Sequence, residues 1–157
     1  LVGRPLERVD AVGVPVLTKS VDIANARLIF EGGATANVTA SRVSFKSERS
    51  MRIFQPDVYI NLDFGNKKLK IFTKSSADPG ATPQIGIKEM DIEERDALKD
   101  EISSFVECVK NKTKPLVSGQ DGLKALLLVN KIREALNESL ERFSTSSVET
   151  PVSINLN

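Results

Sequence analysis

The chain has 157 residues, 40% of them hydrophobic and 27% charged, which is the composition of one ordinary globular domain. Its 22 basic and 21 acidic residues leave a net charge of +1, so no general electrostatic attraction to nucleic acid or anionic lipid is expected. No apolar run approaches the roughly 20 residues of a membrane span. A single cysteine, Cys108, excludes an intrachain disulfide and reads as intracellular, with cytoplasmic the expected compartment. Histidine is absent, which removes Ser-His-Asp triads, Cys-His pairs and His-bearing zinc sites.

The start, Leu1-Val2-Gly3, lacks a signal peptide's basic and apolar regions. It reads as the last turn of a helix whose beginning lies upstream, and so as part of a longer polypeptide. Leu6 to Val16 follows as a first strand. Asp22 to Glu31 alternates clearly, with Ala24, Ala26, Leu28 and Phe30 on one face and Asn25, Arg27 and Ile29 on the other. Gly32-Gly33 predicts a hairpin, because both residues accept positive φ. The return strand over Ala34 to Lys46 places Ala36, Val38 and Ala40 opposite Thr35, Asn37, Thr39 and Ser41. Met51 to Phe54 leads into a turn at Gln55-Pro56-Asp57. Val58 to Phe64 alternates again, Gly65-Asn66 turns the chain, and Leu69 and Ile71 alternate with Lys68 and Lys70. Ser75 to Pro83 is expected to be a loop and Ile85 to Ile92 one more strand.

The period then changes. Leu98, Ile102, Phe105 and Val109 recur at helical spacing. Ser118 to Asp121 predicts a capping-box start for a second helix from about Gln120 to Phe143. That helix is apolar almost all round between Leu123 and Ile132 and is expected to lie deep. Ser144 to Glu149 is read as a linker, and Val152 to Leu156 as a terminal strand or free end.

Strands first and helices last predict an α+β fold. One open-faced, mostly antiparallel sheet of about six or seven strands would be covered on one face by two helices. The open face mixes Thr, Asn, Ser, Lys and Arg with Ile29, Val43, Phe45, Tyr59 and Phe72 as expected interruptions. Such a surface suits a second copy or a neighbouring domain. Residues 1–143 are read as one domain and residues 144–157 as a C-terminal linker and tail.

Candidate site residues are few. Arg42, Lys46, Arg49 and Arg52 cluster around one strand connection. Arginine forks match phosphate oxygens, so the cluster is a candidate for the phosphates of a nucleotide sugar. Solvated charge at a sheet edge gives the same pattern. Lys67, Lys68, Lys70 and Lys74 read as a solvated hairpin. Cys108 reads as a small apolar residue without an activating partner. Ser118 and Asp121 read as a helix cap. Asp91, Glu93, Glu94 and Asp96 read as acids favoured before a helix N-terminus, not as a cation site.

Four phrases in order carry a resemblance. They are Asp22-Ile-Ala-Asn-Ala-Arg-Leu-Ile-Phe-Glu-Gly-Gly-Ala34, Glu48-Arg-Ser-Met-Arg-Ile-Phe54, Glu101-Ile-Ser-Ser-Phe-Val-Glu-Cys-Val109 and Pro115-Leu-Val-Ser-Gly-Gln-Asp-Gly-Leu-Lys-Ala-Leu126. Together they resemble the C-terminal half of the glucose–fructose oxidoreductase/inositol dehydrogenase (Gfo/Idh/MocA) family, across roughly Leu1 to Leu136. The resemblance implies an open-faced C-terminal domain of the kind found in glyceraldehyde-3-phosphate dehydrogenase. It implies a parent in which an N-terminal Rossmann domain binds NAD or NADP, a Glu-Lys-Pro lysine assists catalysis and a D-x-x-x-H histidine is the acid/base. None of those three motifs stands in this sequence, so no catalytic or cofactor-binding residue carries over, no metal site is expected, and the chain alone is expected to be inactive. The implied role is substrate binding and dimerisation for an oxidoreductase acting on a sugar or nucleotide-sugar hydroxyl. The partners implied are its own Rossmann domain, a second copy through the open sheet face and the sugar. Within the family, Ile53 to Asp63 looks like members acting on nucleotide-linked amino sugars, for example at the 3-hydroxyl of UDP-N-acetylglucosamine. The alternative is a stand-alone binding or scaffold module of the same fold without a cofactor domain.

Overall fold

The computed structural model describes residues 2–75 and 84–145. Seven strands precede two helices: β1 (Leu6–Val14), β2 (Ile23–Phe30), β3 (Thr35–Ser41), β4 (Ser50–Gln55), β5 (Val58–Asp63), β6 (Lys68–Ser75), β7 (Gln84–Asp91), α1 (Ala97–Asn111) and α2 (Gly119–Thr145). This is the expected α+β order, and every strand pair is antiparallel. Of the loop expected over Ser75 to Pro83, Ser75 ends β6 and residues 76–83 lie outside the described residues, as do residues 146–157. Two compact units form, one from residues up to Ser44 and from Leu116 onward, the other from Phe45 to Pro115.

In the first unit β1, β2 and β3 make a three-stranded meander in that order. Gly32 and Gly33 turn it, both at φ 84°, a region that costs a glycine nothing. The register sets Ala11 opposite Ala26 and Ala26 opposite Val38. One face is therefore small and apolar, as the alternation predicts. Ile132, Ala135 and Leu136 of α2 pack on it, against Val9, Ala11, Ala24 and Ala26. Gly13 permits this approach. A Cβ there would come within 2.7 Å of Val21 Cγ1 and 2.9 Å of Leu136 Cδ2.

The start of α2 is the expected cap. Ser118 N–H and hydroxyl donate to the Asp121 carboxylate at 2.9 and 2.6 Å, and Asp121 N–H returns a bond to Ser118 Oγ at 3.3 Å. These bonds hold the Asp121 carboxyl below its usual range.

In the second unit β4, β5, β6 and β7 form a four-stranded meander. Met51, Ile53, Val58, Ile60, Leu62, Leu69 and Ile71 share one face by register. Helix α1 begins at Asp96, whose carboxylate accepts from the N–H groups of Leu98 and Lys99, both at 3.1 Å. It ends at Lys112, which adopts the left-handed conformation at φ 53°.

Two details differ from the sequence expectation. The strands divide into sheets of three and four instead of one continuous sheet. The Arg42–Arg49 connection joins β3 to β4 without pairing them, so each sheet closes on its own hairpins.

The helices also cover less than their apolar stripes predict. Leu123, Leu126, Leu127 and Val129, expected to lie deep, are exposed, and α1 has no buried residue. The residues of α2 that pack on the sheet, Ile132, Ala135 and Leu136, all lie in its C-terminal half and meet Val9 and Ala11 of β1 and Ala24 and Ala26 of β2.

Candidate sugar-nucleotide and subunit surface

The four basic residues of the β3–β4 connection do not share one environment. Arg42 belongs to the first unit. Its Nε lies 3.4 Å from Asp22 Oδ1, and its Nη2 donates to the Val21 carbonyl at 3.2 Å. Lys46, Arg49 and Arg52 belong to the second unit. Lys46 stands 3.8 Å from Glu48 and is well exposed. Arg49 is anchored through its carbonyl, which accepts the Phe64 N–H at 2.8 Å. Arg52 lies on β4 opposite Asn61 and forms no ion pair among the described residues.

Asp22, which sequence reasoning did not single out, is the best-held polar group of the first unit. Its side chain is fully buried. One carboxylate oxygen accepts the N–H groups of Val16, Leu17 and Thr18 at 2.8, 2.7 and 2.8 Å, and the other accepts the Thr18 hydroxyl at 2.9 Å. The Thr18 N–H above all, against the opposing effect of burial and with the Leu17 and Val16 N–H groups, holds this carboxyl far below the usual aspartate range. The arrangement shapes the β1–β2 loop and positions Arg42. An aspartate just before a strand carries no distinguishing sequence signal, which is why it was missed.

The face of the first sheet away from α2 carries Asp10, Arg27 and Asn37 in one row and Val12, Asn25 and Thr39 in the next. Thr39 Oγ1 donates to Asn25 Oδ1 at 2.8 Å. Beside the C-terminal half of α2 lies a shallow open cavity of about 580 Å³, whose lining includes Ala26, Val38, Ala135, Ser139 and Arg142.

The second sheet holds an aromatic ladder. Phe54 stacks on Tyr59 with ring centroids 4.7 Å apart, and Tyr59 stacks on Phe72 at 5.1 Å. The ladder and the row Arg52–Asn61–Lys70–Glu89 share one face. Lys70 pairs with Glu89 at 3.0 Å. The alternation placed Tyr59 and Phe72 on the open face but left out Phe54. The Pro56-Asp57 turn sets the register that brings Phe54 opposite Tyr59.

Asp63 closes the next turn. The Asn66 N–H donates to it at 2.9 Å and the Asn66 side chain at 2.8 Å, and with the Lys46 charge they lower its pKa. Lys67 bonds Glu94, and that bond likewise lowers the Glu94 carboxyl. Cys108 lies 3.7 Å from the Lys114 carbonyl, in the turn that ends α1. No group of three or more metal-ligating side chains occurs among the described residues. None of those residues offers a dinucleotide cradle either. Such a cradle needs a glycine-rich turn from a strand into a helix, and the Gly32-Gly33 turn joins two antiparallel strands.

No protein-family model matches the chain. It is 33% identical over 134 residues to UDP-N-acetylglucosamine 3-dehydrogenase of Acidithiobacillus ferrooxidans, a match over 85% of this chain and 43% of that protein. The solved structure of that dehydrogenase superposes with a TM-score of 0.80, covering 88% of this chain and 44% of the other at 32% identity. Aldose-aldose oxidoreductase from Caulobacter crescentus shares the fold at a TM-score of 0.66 and 23% identity, over 87% of this chain and 40% of that one. The chain thus spans less than half the length of these relatives. In sequence and in fold it is a relative of the C-terminal portion of UDP-N-acetylglucosamine 3-dehydrogenase, and with it of the Gfo/Idh/MocA-type oxidoreductases.

Proposed function

We propose that the chain is the substrate-side and oligomerisation domain of a longer NAD(P)-dependent oxidoreductase acting on a sugar or nucleotide-sugar hydroxyl. The observation that carries this reading is the agreement of sequence and fold with a UDP-N-acetylglucosamine 3-dehydrogenase over 85% of the chain. Nicotinamide chemistry would be supplied by a Rossmann domain elsewhere in the parent, since the described residues offer no cradle for it. The oxidised nicotinamide held by that domain would accept the hydride, and this chain would bind and orient the sugar. By itself the chain is inactive in this reading. It works in the cytoplasm, without nucleic acid or membrane as partner, and pairs with a second copy through an open sheet face.

Lys46, Arg49 and Arg52 of the second unit are the proposed contacts to the diphosphate, whereas Arg42 of the first unit is held by Asp22. Arg49 and Arg52 are exposed, and guanidinium groups pair with phosphate oxygens in a bidentate way. The parent enzyme is to be assayed with NAD or NADP and either UDP-N-acetylglucosamine or free N-acetylglucosamine. The expected result is cofactor reduction with the nucleotide sugar, and a KM raised about tenfold or more by Arg49→Ala with Arg52→Ala while kcat changes little. Reduction with the free sugar alone would move the substrate class away from nucleotide sugars. No reduction with any sugar, together with binding by this chain alone, would favour the stand-alone module.

A further inference from the structure

The outer strands of the two sheets are not defended alike. A free strand edge offers unpaired N–H and C=O groups, and natural edges are blunted by charge, proline or a bulge. β1 carries Glu7, Arg8 and Asp10 and a register shift between Leu6 and Arg8. β4 carries Arg52, and β7 carries Lys88, Glu89 and Asp91. β3, Thr-Ala-Asn-Val-Thr-Ala-Ser, has no charge, no proline and no register shift, and its residues from Asn37 to Ala40 are all exposed.

The ladder shows which groups of β3 are free. The Phe30 N–H donates to the Ala34 carbonyl at 2.9 Å, and the Arg42 N–H donates to the Asp22 carbonyl at 3.0 Å. The register between those two points is regular, and hydrogen-bonded pairs alternate along an antiparallel ladder. Ala36, Val38 and Ala40 therefore turn their backbone groups to β2. The backbone groups of Thr35, Asn37, Thr39 and Ser41 point the other way, along the free edge.

We infer that this edge pairs antiparallel with the same edge of a second copy, about a two-fold axis through Val38 and perpendicular to the sheet. The strand reads nearly alike in both directions from that residue. Thr35 meets Ser41 of the second copy, Ala36 meets its Ala40, Asn37 meets its Thr39, and Val38 meets its Val38. In this register the outward backbone groups satisfy one another and the whole strand is used. A slip of two residues sets β3 against Gly33 of the turn or against Arg42, which Asp22 holds, and shortens the ladder. A slip of one residue opposes outward groups to inward ones. The packing leaves room for the pairing. Helix α2 rests on β1 and β2, and the shallow cavity beside its C-terminal half reaches Val38, which is 44% exposed. The second copy's Val38 lies beside it on the α2 side, so each covers the other. Neither sheet face is used, so this contact is distinct from the open-face pairing proposed above and does not depend on it.

The test uses the whole chain and reads assembly by light scattering, with circular dichroism verifying the fold of each variant. Proline at an edge position whose N–H faces solvent leaves the internal ladder intact. Thr39→Pro should therefore weaken association about tenfold or more, since it removes a donor from each copy. Thr39→Ala keeps the N–H and should leave association unchanged. Val38→Cys in a Cys108→Ser background should give disulfide-linked dimers under mild oxidation, because the Cα atoms of such a pair lie about 4.5 Å apart. Ala40→Cys in the same background should give few, since it meets Ala36. With the open-face contact also formed, Thr39→Pro should reduce a tetramer to a dimer. An assembly unaltered by Thr39→Pro would overturn the edge pairing and leave the open-face dimer standing. Cross-linking through Ala40→Cys instead of Val38→Cys would overturn the register. A monomeric wild-type chain would overturn both contacts.

Discussion

The two units are built from the same parts, an antiparallel meander and one helix, yet only the first has a core. Ala11, Ala26, Leu28, Phe30 and Leu136 are buried there, while no described residue between Phe45 and Pro115 is. The difference is the second layer. In the first unit Gly13 and a floor of small alanines let α2 approach closely, so Leu136 closes on the sheet. In the second unit α1 keeps Leu98, Ile102, Phe105 and Val109 exposed. A sheet without a packed layer keeps its ladder hydrogen bonds but buries little apolar area, and buried area is the dominant favourable term. An open sheet is also available for assembly, which is the use proposed for it here.

The contrast can be broken by mutation. The largest effect is expected from Asp22→Ala, which leaves the N–H groups of Val16, Leu17 and Thr18 without their acceptor and unmoors Arg42. The milder Asp22→Asn adds a pH signature. A carboxyl held below its usual range contributes fully above the usual aspartate value of about 4 and loses that contribution as pH falls toward its folded value. The gap in urea midpoint between wild type and Asp22→Asn should therefore be widest near neutrality and shrink below about pH 4. A gap that stays constant with pH would deny Asp22 this role.

Next comes Leu136→Ala, expected to cost about 2–4 kcal/mol in urea unfolding, against less than about 0.5 kcal/mol for Leu126→Ala. Leu136 is 8% exposed and Leu126 64%, on the same helix. Equal costs would mean that the N-terminal half of α2 is packed too. The smallest effect belongs to the second unit. Lys112 ends α1 in a left-handed conformation at φ 53°. Lys112→Gly should gain up to about 1 kcal/mol by relieving that conformation, measured as slower amide exchange in the last turn of α1.

Much of this was legible in the sequence. Period-two alternation set the two faces of β2 and β3, because a strand's side chains alternate whatever packs on them. Gly32-Gly33 gave the hairpin, and Ser118 with Asp121 gave the helix cap, since both depend on neighbours a few residues apart. The site was less legible. Arg42 and Arg52 are ten positions apart in the chain, yet Arg42 is fixed by Asp22 in one unit and Arg52 by the register of β4 in the other. Tyr59 and Phe72 read as apolar interruptions of a polar face until cross-strand pairing stacked them with Phe54.

By itself, then, the sequence determined the order and type of the elements, their caps and turns, and the family resemblance that sequence and fold comparisons bear out. Those features are local or are carried by the order of residues along the chain. Only the tertiary structure decided that the seven strands part into two sheets, that half of α2 remains uncovered, and that a buried aspartate holds the first loop. These outcomes depend on which surfaces meet across long separations in sequence. That is settled by close approaches such as that at Gly13, which no local pattern records.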